Sequence, residues 1–146
     1  NYCRAIALDA PTARCVGMAD SGFFREYESK TPPPESAHKL VGRNKSYSTY
    51  YSGLLWAFNA FNMSASVSQR CIAWQKKLSK QPLHSCVFAN IAALYARTPI
   101  FTLQSAFDSW QLLHIRDAAE SIEQFGTDLS NVVTSVLRVH GRNGLF

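Results

Sequence analysis

The stretch from Thr98 to Ile115, Thr-Pro-Ile-Phe-Thr-Leu-Gln-Ser-Ala-Phe-Asp-Ser-Trp-Gln-Leu-Leu-His-Ile, constrains the fold more than any other part of the chain. Proline opens a strand but cannot donate to a ladder from inside one, so Pro99 marks a boundary. Ile100 to Leu103 is then a short apolar run of the kind buried in a parallel sheet, and Phe107 closes the apolar stretch. Asp108 follows at once. It lies at the carboxyl end of a predicted strand, where open α/β sheets place their chemistry. It also stands at an N-cap position, because Trp110, Leu113 and Ile115 continue at helix-like spacing. From the residues alone both roles are open, helix cap and functional carboxylate.

With 146 residues, 47% of them apolar and 17% charged, the chain can build a real core, as one ordinary domain or part of a larger one. Its composition is not that of a disordered chain. The net charge is +5, but the 15 Lys and Arg are scattered. Lys76, Lys77 and Lys80 form the only tight group, which reads as a solvated face rather than a nucleic-acid footprint. No run approaches the roughly 18 apolar residues of a membrane span. The chain opens on Asn1-Tyr2-Cys3, with neither an initiator Met nor a signal-like segment, and is expected to be processed or part of a longer protein.

The cysteines fall into two local pairs, Cys3 with Cys15 and Cys71 with Cys86, without the Cys-x-x-Cys spacing of a zinc or redox site. Loops of this size close well as disulfides. Other connectivities are equally allowed by sequence, so local pairing is a preference. The glycosylation sequons at Asn44 and Asn62 add to the case for an oxidising, secretory setting.

In chain order, Tyr2 to Leu8 reads as the end of a helix, stopped at Asp9-Ala10-Pro11-Thr12. A strand over Ala13 to Met18 should follow and run into Ala19-Asp20-Ser21-Gly22, where Gly22 permits the turn. Asp20 is thus a second acidic residue just past a strand end, with an Asx-type turn as its plain structural alternative. Residues 28–46, with Pro32-Pro33-Pro34, read as an exposed excursion inside a single partial domain spanning 1–146. Tyr47 to Asn62 is an aromatic-rich helix, better suited to packing in the core than to walling a substrate. The segment from Ser64 to Ser85 looks like a stapled loop containing a short helix, and Val87 to Tyr95 like another helix. Beyond Asp117, Ile122, Phe125, Leu129, Val132, Val133, Val136 and Leu137 recur at three- and four-residue spacing, one buried helical stripe. Gly126 weakens its middle, Gly141 is placed to end it, and Gly144-Leu145-Phe146 has the look of a strand beginning.

Strands alternating with helices predict the α/β class, with a mostly parallel sheet flanked by helices. In an α/β hydrolase the order is nucleophile, acid, histidine, each after a different strand. Asp108 suits the acid. The nucleophile would then precede residue 1 and the histidine follow residue 146.

Ala19-Asp20-Ser21-Gly22-Phe23-Phe24, Tyr51-Ser52-Gly53, Thr98-Pro99-Ile100-Phe101 and Phe107-Asp108-Ser109-Trp110-Gln111 resemble segments of the pectin acetylesterase family, which includes the Notum-type carboxylesterases. Asp20-Ser21-Gly22 is most similar to the Notum branch, and both cysteine pairs are placed as that family places cysteines. The resemblance implies the carboxyl-side portion of a secreted serine esterase of α/β-hydrolase-like fold, acting on an acylated polysaccharide or acylated protein without a cofactor. Asp108 would be the triad acid, Asp20 and Ser21 active-site neighbours, and Trp110 with the aromatic helix part of an acyl pocket.

The departures are as informative. There is no Gly-x-Ser-x-Gly elbow, no Gly-rich oxyanion segment and no terminal family histidine. Ser21 lacks the elbow's preceding glycine. His114 lies on Asp108's own predicted helix, His38 and His84 in loops, and His140 at a helix end, a scatter that suits no metal. This chain alone is therefore expected not to hydrolyse esters. The alternative reading is an inactive esterase-derived structural or binding subunit, whose exposed sheet edges a larger assembly would cover.

Overall fold

The computed structural model describes residues 2–27, 49–78 and 82–146. The predicted excursion at 28–46, with His38 and the sequon at Asn44, lies outside the described residues. Three short parallel strands form one sheet in the order β1-β2-β3, with β1 at Gly17–Asp20, β2 at Ile100–Leu103 and β3 at Gly144–Leu145. The helices are α1 (Tyr2–Asp9), α2 (Thr49–Ala60), α3 (Gln69–Leu78), α4 (Ala89–Ala92), α5 (Ser109–His114) and α6 (Ile122–Arg138), with 3-10 turns at Met63–Ala65, Leu83–Val87 and Ala93–Tyr95. This is an α/β arrangement, a small parallel sheet flanked by helices. None of the described helices is long and apolar enough to cross a membrane.

Strand β2 occupies the apolar run after Pro99 and sits between the other two strands. Side chains alternate across it. Ile100 and Thr102 face Ala92, Ala93 and Leu137 across an alanine-lined cavity of about 280 Å³. Phe101 points the other way with Met18, its register partner on β1, and these two are 43% and 70% exposed. The run is thus covered on one face among the described residues, not on both. On the outer face the Phe101 ring lies over Gly144, where an added Cβ would come within 2.6 Å of it.

Helix α6 supplies most of the core. Ser121 caps it, its Oγ accepting from the Gln124 N–H, and Phe125, Leu129, Val133, Val136 and Leu137 form the buried stripe with Phe23 and Ile115. Gly126 belongs to that stripe for a steric reason, since a Cβ there would meet the Phe107 ring at 2.5 Å. A second apolar cluster of Phe58, Ile72, Cys71 and Cys86 surrounds one disulfide. The structure pairs Cys71 with Cys86, joining α3 to the turn before α4, and Cys3 with Cys15, joining α1 to the approach to β1.

Several boundaries differ from those read in the sequence. Pairing of β1 begins at Gly17, not Ala13, because Ala13 N–H closes a turn on Ala10 and Cys15 is tied to Cys3. Asp20 therefore ends the strand rather than following it. The predicted helix from Val87 to Tyr95 is broken. Phe88 is extended (φ −79°, ψ 141°), which buries its ring completely, and a short α4 runs on into a 3-10 turn. Helix α6 stops at Arg138, ahead of Gly141, and the Asn143 side-chain amide donates to the Leu137 carbonyl near its end.

Truncating Leu129, fully buried in α6, to alanine is expected to cost about 2–5 kcal/mol. The half-exposed Ile122→Ala should cost less than about 1 kcal/mol. Urea midpoints at unchanged slope would measure both, and equal losses would contradict the assigned stripe.

Candidate active site

The carboxyl ends of β1 and β2 bring the predicted acidic residues to one edge of the sheet. Asp20 is the register partner of Leu103, and the Ser21 N–H donates to the Leu103 carbonyl at 2.8 Å. The sharp bend after β1 falls on Ser21 (φ 49°), not on Gly22. A side-chain-bearing residue in the left-handed region costs about 1–2 kcal/mol, so the turn is held by its surroundings. The exposed Ser21 hydroxyl donates to Asp20 Oδ1 at 3.2 Å. Among the described residues no imidazole reaches this hydroxyl, and residues 22–27 directly after it form no helix, so the arrangement is a turn and not a nucleophile elbow.

Asp108 lies five residues beyond β2. Its Oδ1 accepts the Gln111 N–H at 2.8 Å and caps α5. The cap role left open by the sequence is therefore real, but it uses one oxygen. Oδ2 has no hydrogen-bond partner among the described residues and is left available at the sheet's carboxyl edge. The two roles are compatible, because a carboxylate can serve a backbone donor and a second donor together.

Two glutamines, not singled out in the sequence, tie this edge together. Gln111 is fully buried, its Oε1 accepting from the Arg25 N–H at 3.0 Å and its Nε2 donating to the Phe23 carbonyl at 3.2 Å. Gln104 Oε1 accepts from the Phe23 N–H at 3.0 Å, while its backbone N–H meets the Phe146 carbonyl. The segment leaving β1 is thus stitched to the segment leaving β2 by side-chain amides in place of further ladder bonds. Arg25 adds an ion pair to Glu120 at 2.7 Å, with its guanidinium over the Tyr27 and Phe125 rings. The signal was spacing: glutamine in the middle of an otherwise apolar helical turn has to find backbone partners.

Aromatic rings border the same edge. Trp110, 43% exposed, meets Phe24 at 5.3 Å, Tyr50 at 5.9 Å and the His114 ring at 4.5 Å. Of the aromatic helix, Tyr50, Tyr51 and Phe58 turn inward, whereas Trp56 and Phe61 are exposed and pack on each other. Burial first, and the Glu26 carboxylate second, push the Tyr50 hydroxyl up to about 12. None of the described histidines hydrogen-bonds to Asp108 Oδ2. His84 Nε2 is 3.2 Å from the Tyr51 hydroxyl, His140 Nε2 donates to the Leu94 carbonyl, and His114 rests on Trp110. Among the described residues no cluster of His, Cys, Asp or Glu could hold a metal ion. The second sequon, at Asn62, is exposed on a left-handed turn (φ 48°), its side chain accepting from the Ser64 hydroxyl.

Asn caps a helix as well as Asp, so Asp108→Asn should leave the unfolding midpoint nearly unchanged, whereas Asp108→Ala should lose about 1 kcal/mol. Equal stability of the alanine variant would contradict the cap. Tyr50 supplies a pH test. Its folded pKa lies above the ordinary tyrosine value of 10.0, so stability is intact below that value and falls as pH rises from about 10 to about 12. Ultraviolet titration should show one tyrosinate appearing late, near pH 12, and lost in Tyr50→Phe.

No curated protein and no solved structure matches this chain. The family model for pectinacetylesterases matches residues 3–139, nearly the whole length, and takes in both disulfides, the Asp20 turn and Asp108. The chain therefore belongs to the pectinacetylesterase family.

Proposed function

We propose that this chain is the carboxyl-side portion of a secreted serine carboxylesterase and that Asp108 is its triad acid. The observation that carries this reading is the division of labour at the carboxylate. Oδ1 is fixed by the Gln111 N–H, and Oδ2 is unpartnered at the carboxyl edge of a parallel sheet. A carboxylate held this way can accept an imidazole Nδ1–H, fix the tautomer that deprotonates the serine, and stabilise the imidazolium that forms. The serine and histidine would come from sequence outside these 146 residues. The outer sheet face, with Met18 and Phe101 exposed, favours a further protein layer there, as parallel sheets are ordinarily covered on both sides.

Asp20 and Ser21 would border the reacting centre, and Trp110 with Phe24 and Tyr50 would supply an apolar wall for the acyl group. The substrate would be an O-acylated polysaccharide or an acylated protein, and the reaction requires no cofactor. Two disulfides, with the sequons at Asn44 and Asn62, support a secreted glycoprotein. The inactive-subunit reading draws on the same exposed face, since a partner could cover it equally well.

In the protein that carries the serine and histidine, Asp108→Asn should cut turnover of an acetyl ester by about 10⁴-fold. The unfolding midpoint of the same variant controls for structure. Retained turnover would remove Asp108 from the triad, and an unmodified protein without esterase activity would favour the inactive subunit.

A further inference from the structure

The carboxyl end of α2 carries two aromatic rings that the described residues leave largely uncovered. Trp56 is 65% exposed and Phe61, just past the helix, 70%, and they meet edge to face with centroids 5.7 Å apart. Trp56 precedes Phe58 by two residues, which puts it roughly 200° around the helix from that side chain. Phe58 is buried in the cluster around the Cys71–Cys86 disulfide, so Trp56 faces away from it. Single exposed apolar side chains are ordinary, but two large rings side by side form a patch of the kind that marks an interaction site. The sequence has no charged residue from Ser46 to Gln69 to solvate it.

The residue next to that patch is the sequon asparagine. Asn62 follows Phe61 directly and is left-handed (φ 48°, ψ 50°), a conformation that Asn tolerates better than most side-chain-bearing residues. It precedes the 3-10 turn Met63–Ala65 without capping it through its side chain. Its Oδ1 accepts from the Ser64 hydroxyl at 3.1 Å, and its Nδ2 has no hydrogen-bond partner among the described residues. The turn is anchored on both sides. The Phe61 N–H donates to the Ala57 carbonyl at 3.0 Å, and Gln69 Nε2 donates to the Ser64 and Val67 carbonyls at 2.8 and 3.1 Å. Met63 packs against the disulfide cluster. A substituent on Nδ2 would therefore leave from a fixed point beside the Phe61 position.

We propose that Trp56 and Phe61 form a stacking platform for the first sugar of an N-linked glycan on Asn62, so that the modification stabilises the fold. The inference rests on the secreted-glycoprotein reading above. In the modification Asn62 Nδ2 forms a bond to the anomeric carbon of a lipid-pyrophosphate-linked oligosaccharide and gives up one proton. The anomeric C–O bond of the donor breaks, and the lipid pyrophosphate leaves. The attached N-acetylhexosamine presents C–H bonds on one face of its ring, and the negative π face of an aromatic side chain attracts such polarised hydrogens. Tethering to the residue beside Phe61 removes most of the entropic cost of that contact. A protein partner is the competing occupant, and a glycan at Asn62 would exclude it.

The full protein secreted from eukaryotic cells tests this, with Asn44→Gln so that only one sequon counts. Peptide mass mapping reads occupancy first, and a bare Asn62 would overturn both the proposal and the glycoprotein reading at this site. The glycan is then trimmed to its first sugar, and the protein is compared with the same polypeptide made in a bacterial periplasm that adds no glycan. The unglycosylated form should have an unfolding equilibrium constant roughly threefold or more higher. In Trp56→Ser/Phe61→Ser, which changes two exposed side chains, the two forms should unfold alike. Proton NMR of the trimmed protein should show the ring protons of the sugar shifted upfield by the aromatic rings, an effect lost in the double variant. Equal stability with and without the sugar, a difference that survives loss of both rings, or sugar protons at their free-glycan positions would overturn the stacking while leaving the glycoprotein reading in place. Trp56 and Phe61 found buried against another protein surface would do the same.

Discussion

The buried side-chain amide of Gln111 is the interaction on which the carboxyl edge of this structure depends. Strands β1 and β2 pair over only four residues each, too few to fix the loops that leave them. Gln111 continues the tie beyond the sheet, with one atom on the Arg25 N–H and another on the Phe23 carbonyl. An unpaired buried backbone group costs about 1–3 kcal/mol, so both the amide and the two groups it serves are better off together. The same residue's backbone N–H donates to the Asp108 carboxylate. One helical turn thereby sets the position of the candidate acid relative to the Asp20–Ser21 turn. The strained φ of Ser21 can persist because its N–H is held by Leu103.

Packing behind that edge is asymmetric. The inner sheet face looks toward the alanines around α4 and the Leu137 end of α6, and two close approaches to glycine, Phe107 over Gly126 and Phe101 over Gly144, set ring positions on either side of the strand. Phe107 immediately precedes Asp108, so the fit of its ring against Gly126 also bears on the carboxylate. The outer face keeps Met18 and Phe101 in solvent. Parallel sheets are ordinarily covered on both faces, and among the described residues this one is covered on one.

The long signals were legible in the sequence. β2 and the stripe of α6 rest on strict apolar spacing, and proximity in the chain was enough to suggest Cys3 with Cys15 and Cys71 with Cys86. What could not be read depended on distant partners. The start of β1 moved to Gly17 because a disulfide and a turn occupy the residues before it, and the Val87–Tyr95 helix broke because Phe88 gains more from full burial than from helical continuity. The turn that Gly22 was expected to permit takes its left-handed residue at Ser21, whose partner lies on another strand. Gln104 and Gln111 escaped notice because their partners lie more than 80 residues away in the chain. At Asp108 the sequence posed cap against acid, while the geometry assigns one oxygen to the cap and leaves the other open.

The most direct measurement is the crystal structure of the protein carrying the serine and histidine, trapped as a covalent adduct with a serine-directed phosphonate. The account predicts the catalytic imidazole Nδ1 at about 2.6–3.2 Å from Asp108 Oδ2, with Oδ1 still on the Gln111 N–H. An imidazole oriented by Asp20 or by another carboxylate, with Asp108 serving only α5, would contradict it.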